Sequence, residues 1–74
     1  MNLSQLKRGD WAKIIKLEND KRTANRLNDM GIIEGVNVKL IRFASFGDPL
    51  LIKVRDFVLA IRKDDAQKIM VEKL

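Results

Sequence analysis

Leu27-Asn28-Asp29-Met30-Gly31-Ile32-Ile33-Glu34-Gly35 is the stretch whose reading decides the fold. Ahead of it, Ala24, Leu27 and Met30 recur at helical spacing, which predicts a short helix from about Asp20 to Met30 with one apolar face. Asn19 or Asp20 can cap its start, because a short side-chain oxygen accepts from the first free backbone N–H groups. Gly31 is the natural stop, since it tolerates the left-handed conformation that closes a last turn and lets Ile32 fold back onto the helix. Gly35 reads as the positive-φ residue of a tight turn. After it the apolar period becomes two, through Val36, Val38 and Leu40. The stretch therefore turns a helix into a strand, as the hinge of a small barrel.

Working outward, Gly9-Asp10 marks a turn after a lead-in framed by Leu3 and Leu6. Trp11 to Leu17 reads as a first strand with Ala12 and Ile14 inward; Ile15 and Leu17 break the phase, which predicts a bulge or bend. Trp11, the only tryptophan, reads as a residue at the rim of the core. Val36 to Phe43 is the longest predicted strand. Ala44-Ser45-Phe46-Gly47-Asp48-Pro49 follows as a loop, with Pro49 driving Asp48 to extended geometry. Leu50, Ile52 and Val54 alternate with Lys53 and Arg55 in a third strand with one buried face. A link as short as Asp56 implies a hairpin to Phe57-Val58-Leu59-Ala60-Ile61-Arg62. That fourth run is apolar on both faces, which predicts a central or covered strand. Lys63 to Lys68 reads as one helical turn capped by Asp64, and Ile69, Met70 and Val71 begin a last strand. The fold class is mainly β: a five-stranded barrel with one short α-helix between strands 1 and 2 and a helical turn before the last strand. Residues 1–74 are expected to form a single domain.

Composition narrows the chemistry. A chain of 74 residues buries only roughly 60–65% of its unfolded surface and nets about 3–5 kcal/mol of stability, so function belongs on the surface. Cysteine and histidine are both absent. That removes the best ligands for zinc, copper and iron, the usual general base, and any Ser-His or Cys-His pair. Asp64 and Asp65 lack a third ligand and suit a helix start better than a cation. No catalytic, cofactor or metal residue is therefore assigned, and an enzyme is not expected. The net charge is +5, with Lys and Arg spread along the chain. No apolar run is long enough to span a membrane and the first residues lack the apolar core of a signal peptide, so a cytoplasmic location without membrane insertion is expected.

Several of these residues together resemble the FeoA family, small accessory proteins of bacterial ferrous iron uptake. The likeness rests on Leu6 with Gly9, Ala12 and Ile14, Arg26-Leu27 through Met30-Gly31-Ile32, Gly35 and Val38, Gly47-Asp48-Pro49, Leu59-Ala60-Ile61-Arg62, Ala66, and Ile69 with Val71. The chain departs from the family pattern at Glu34, where proline is frequent before the second hinge glycine, and at Ser45-Phe46, where Pro-Leu is frequent. The resemblance implies an SH3-like barrel. It implies a partner, the FeoB-type membrane iron transporter with its cytoplasmic GTP-binding domain, and a regulatory or scaffolding role without catalysis. It also implies kinship with the C-terminal domain of iron-dependent repressors, whose DNA-binding helices have no counterpart here.

Candidate partner-binding residues are Arg22 and Arg26 on the polar side of the helix, Met30, Arg42, and the loop residues Phe46, Gly47, Asp48 and Pro49. Phe46 either anchors an interface or folds back over the barrel mouth; Gly47-Asp48-Pro49 also reads as a plain turn, and Leu27 and Met30 also read as core. Two alternatives stay open, a basic barrel that binds nucleic acid and a metal-responsive regulatory domain. The first lacks an exposed aromatic platform in this reading, so nucleic acid is not the expected partner. Weak self-association through the last strand or the Phe46 loop is a further expectation.

Overall fold

The computed structural model describes residues 1–74. A 3₁₀ turn at Leu3–Gln5 leads into β1 (Trp11–Leu17), α1 (Lys21–Asp29), β2 (Asn37–Phe43), β3 (Leu50–Val54), β4 (Phe57–Ile61), α2 (Lys63–Ala66) and β5 (Ile69–Lys73). The strands form one antiparallel sheet in the order β4-β3-β2-β1-β5, curled so that a single apolar cluster lies inside. All fifteen buried residues are apolar. The sheet is barrel-like without closing, because β4 and β5 do not pair and each ends the sheet.

The hinge folds as its residues dictate. Asp20 caps α1 by accepting from the Thr23 N–H at 2.8 Å. Hydrogen bonding from Thr23, its side chain first and then this N–H, holds the Asp20 carboxyl below the usual carboxylate range, helped by the nearby Lys68 and Arg22 charges. At the other end the Gly31 N–H donates to the Asn28 carbonyl and the Ile32 N–H to the Leu27 carbonyl, the paired bonds of a Schellman closure. Gly31 has φ +98° and Ile32 is fully buried. The Val36 N–H then donates to the Ile33 carbonyl, with Gly35 at φ +91°. Gly35 N–H to Ile14 carbonyl and Ile14 N–H to Val36 carbonyl stitch this turn onto β1.

The expected bulge in β1 is present between Ile14 and Lys16, and a second one lies in β2 between Leu40 and Arg42. Three expectations are corrected. β4 is a sheet edge and not central: its pairing is to β3 alone, and Phe57 and Val58 are exposed, because an all-apolar run says nothing about which strand lacks a second neighbour. Asp64 is not the α2 cap; Arg62 occupies that position without a side-chain bond, and Asp48 accepts from the Lys63 N–H at 3.0 Å from a distant loop. Trp11 is not at the core rim: the inward phase of Ala12 and Ile14 turns it outward, where it is 44% exposed. Along β5, Asn2 bridges Met70 and the Val71 N–H donates to the Met1 carbonyl.

Candidate functional site

The seam between the two sheet edges is where α1 and α2 sit, and it holds a cleft of about 240 Å³. Leu27 of α1 and Met30, which caps its C-terminal end, form one wall; Ala60 and Ile61 of β4 form the other. Arg26, Arg62 and Asp65 complete the lining. The volume is below the roughly 300–1,000 Å³ of small-molecule sites and suits one or two inserted side chains.

Charge surrounds the apolar walls. The Arg26 Nη2 donates to Asp65 Oδ2 at 3.1 Å, and Arg62 Nε lies 3.7 Å from the same oxygen. Both guanidinium groups are well exposed, so neither pair adds much stability. Their effect is positional: two cations share one carboxylate, leaving a net positive charge. Asn19 Nδ2 donates to the Asp65 carbonyl at 3.0 Å and ties the approach to α1 onto α2. Its own Oδ1 is buried with no hydrogen-bond partner.

The candidate residues divide into groups. Arg26 and Met30 are in the cleft. Arg22 is exposed one helical turn earlier and is not part of the lining. Gly47-Asp48-Pro49 joins the same end of the molecule through Asp48, whose carboxylate holds the first turn of α2 next to Arg62 and Asp65. Phe46 does not fold back; it stands wholly exposed at φ +60°, beside Gly47 at φ +81°. Arg42 is elsewhere, opposite Leu51 on the outer face of the sheet. Leu27, Ala60, Ile61, Arg62 and Asp65 were not among the candidates. Ala60-Ile61-Arg62 is a recognisable motif in the sequence, but nothing local in it indicates that β4 ends the sheet opposite α1.

A family model for the FeoA domain matches residues 1–73. The chain belongs to the FeoA domain family. It is 33% identical over 72 residues to an Fe(2+) transport protein A/Fe(2+) transporter FeoB fusion protein of Porphyromonas gingivalis, a match covering 97% of this chain and 8% of that protein. The FeoA protein of Chlorobium tepidum superposes with a TM-score of 0.94 at 35% identity, covering all of this chain and 70% of the other. The FeoA of Stenotrophomonas maltophilia, solved with zinc and termed a prokaryotic SH3 domain protein, gives 0.78 at 28% identity, covering 97% and 89%. This FeoA domain thus has the SH3-like fold, and its seam cleft and Phe46 loop are features of that barrel.

Proposed function

We propose that this FeoA domain is a non-catalytic accessory protein of ferrous iron uptake that docks onto the cytoplasmic part of an FeoB-type membrane transporter. The observation that carries the partner is the Porphyromonas gingivalis relative, in which the two units share one polypeptide. The geometry supports docking as the mode of action. An apolar cleft framed by Arg26 and Arg62 accepts an apolar side chain flanked by acidic ones, and Phe46 offers a projecting anchor close by. Residues 1–74 act as one unit on the cytoplasmic side. No helix is long and apolar enough to cross a membrane.

The test is a titration of this protein against the soluble GTP-binding domain of the transporter, followed by calorimetry. Phe46→Ala is expected to weaken binding about thirtyfold, the equivalent of about 2 kcal/mol for a well-seated aromatic anchor. Unchanged affinity in Phe46→Ala together with Arg62→Ala, with both proteins folded, would remove this assignment.

A further inference from the structure

The ten acidic residues of the chain avoid four of its five strands. None lies in β1, β2, β3 or β4, which together carry Lys13, Lys16, Lys39, Arg42 and Lys53. The inward side chains of these strands are apolar, so the cations populate the outer face. The register sets them in rows. Trp11 pairs with Lys39, Lys39 with Lys53 and Lys53 with Val58, which makes one outward row across four strands. Strands lie about 4.8 Å apart, so this row spans roughly 14 Å. Arg42, Leu51 and Ala60 form a parallel row beyond the β2 bulge. Glu72 of β5, opposite Lys13, and Asp10 and Asp56 at the strand ends are acidic residues on the margin.

Large apolar groups are exposed among these cations. Trp11, Ile15 and Val58 are 44%, 43% and 54% exposed. The Lys39 Nζ lies 5.8 Å from the centre of the Trp11 ring, near enough for a cation–π contact at the surface. A face that mixes lysines with a tryptophan and branched apolar side chains matches the boundary layer of a bilayer. There the ammonium groups meet anionic headgroups, and an amphipathic ring settles at the level between water and acyl chain.

We infer that the outer face of β1–β4 binds anionic phospholipid headgroups, with Lys39 and Lys53 supplying charge and Trp11 entering the interface. A single-stranded nucleic acid shares the charge requirement, but it calls for successive stacking rings along a groove. This face has one such ring, at the end of its row, and its cations are spread across the strands. The inference goes beyond the cleft: it rests on Trp11, Lys39 and Lys53, none of which lines the cleft, and does not depend on the transporter.

Trp11, as the sole tryptophan, is a built-in reporter. The full chain is mixed with vesicles of equal parts phosphatidylcholine and phosphatidylglycerol, then with vesicles of phosphatidylcholine alone, and read by co-sedimentation and Trp emission. The expected result is binding to the anionic vesicles only, loss of binding in high salt, and a shift of Trp11 emission to shorter wavelength. The paired change Lys39→Gln and Lys53→Gln is expected to weaken vesicle binding at least tenfold while leaving the melting curve and the affinity for the transporter domain unchanged. Trp11→Ala is expected to weaken it severalfold by sedimentation. Equal binding to neutral vesicles, no binding to either kind, binding without an emission shift, or tighter binding to an oligothymidine strand than to anionic vesicles would each overturn the inference.

Discussion

Two glycine-bearing connections in this FeoA domain use the same backbone freedom for opposite ends. The hinge, Met30 to Gly35, reverses the chain through Gly31 and Gly35 and sends Ile32 into the core, with every turn bonded to α1 or β1. The β2–β3 loop, Ala44 to Pro49, reverses through Gly47 but carries Phe46 outward at positive φ, a conformation that a bulky residue rarely adopts. One connection hides its apolar side chain and the other displays it. The lesson is that residues of similar hydropathy divide between holding the barrel together and meeting a partner, and substitutions separate the two roles.

The largest effect is expected in the hinge. A Cβ on Gly31 meets Phe57 Cζ at 3.3 Å and Val54 Cγ1 at 3.5 Å, in addition to the strain at φ +98°. Gly31→Ala is therefore expected to cost about 2–3 kcal/mol, combining left-handed strain with overpacking. Gly35 has a similar φ of +91° but open space around it. Gly35→Ala is expected to cost only the strain, about 1–2 kcal/mol. Urea midpoints of the two variants isolate the Phe57 contact, and equal midpoints would show that Phe57 yields freely.

The loop is expected to behave in the inverse way. Phe46→Gly relieves the positive φ and removes no buried contact, so stability is expected to hold or to rise by up to about 1 kcal/mol. Affinity for the transporter domain is expected to fall as it does for Phe46→Ala. Stability rising while binding falls is the signature of a displayed anchor; loss of both would place Phe46 with the hinge residues.

A smaller effect is expected where the loop touches the barrel. Asp48 accepts from the first N–H of α2 and so satisfies a group that this helix leaves unbonded. Asp48→Ala is expected to cost about 1 kcal/mol, as for loss of a cap. Asp64→Ala, inside the turn and exposed, is expected to stay within about 0.5 kcal/mol. Thermal melts of the pair distinguish the true acceptor from the one nearer in sequence.

That pair also shows where the sequence was legible. The hinge could be read because its determinants are local: the Asp20 cap and the Gly31 closure are each completed within a few residues. The β1 bulge was readable from its broken alternation. The α2 cap was not, because its acceptor is fifteen residues upstream across the β3–β4 hairpin. The outward setting of Trp11 is legible in the sequence, since Ala12 and Ile14 facing inward force it outward, and the expectation of a core-rim residue overlooks that phase. The cleft was half legible. Arg26 and Met30 follow from the helix, but Ala60 and Ile61 meet them only because β4 ends the sheet, and strand order is a long-range fact. The burial of Leu3 and Leu6 in the lead-in, the first complete, is not local information, because it comes from the 3₁₀ turn packing near α2 and β5.

The smallest expected effect sharpens the hinge side of the comparison. In the Ile33-Glu34-Gly35-Val36 turn the closing bond runs from the Val36 N–H to the Ile33 carbonyl, and positive φ falls on the third residue. That is the arrangement in which the second residue has φ near the value a proline ring imposes. Glu34 occupies this second position, is exposed, and its N–H donates to no group in the chain. Glu34→Pro therefore removes no hydrogen bond and narrows only the unfolded ensemble. It is expected to raise stability by about 0.4–1 kcal/mol, read as a higher urea midpoint at unchanged slope. The same substitution leaves the cleft and Phe46 untouched, so affinity for the transporter domain is expected to stay constant. A weaker complex in a more stable Glu34→Pro protein would mean that the hinge bends when the partner docks, and the division between a holding connection and a displaying one would then fail.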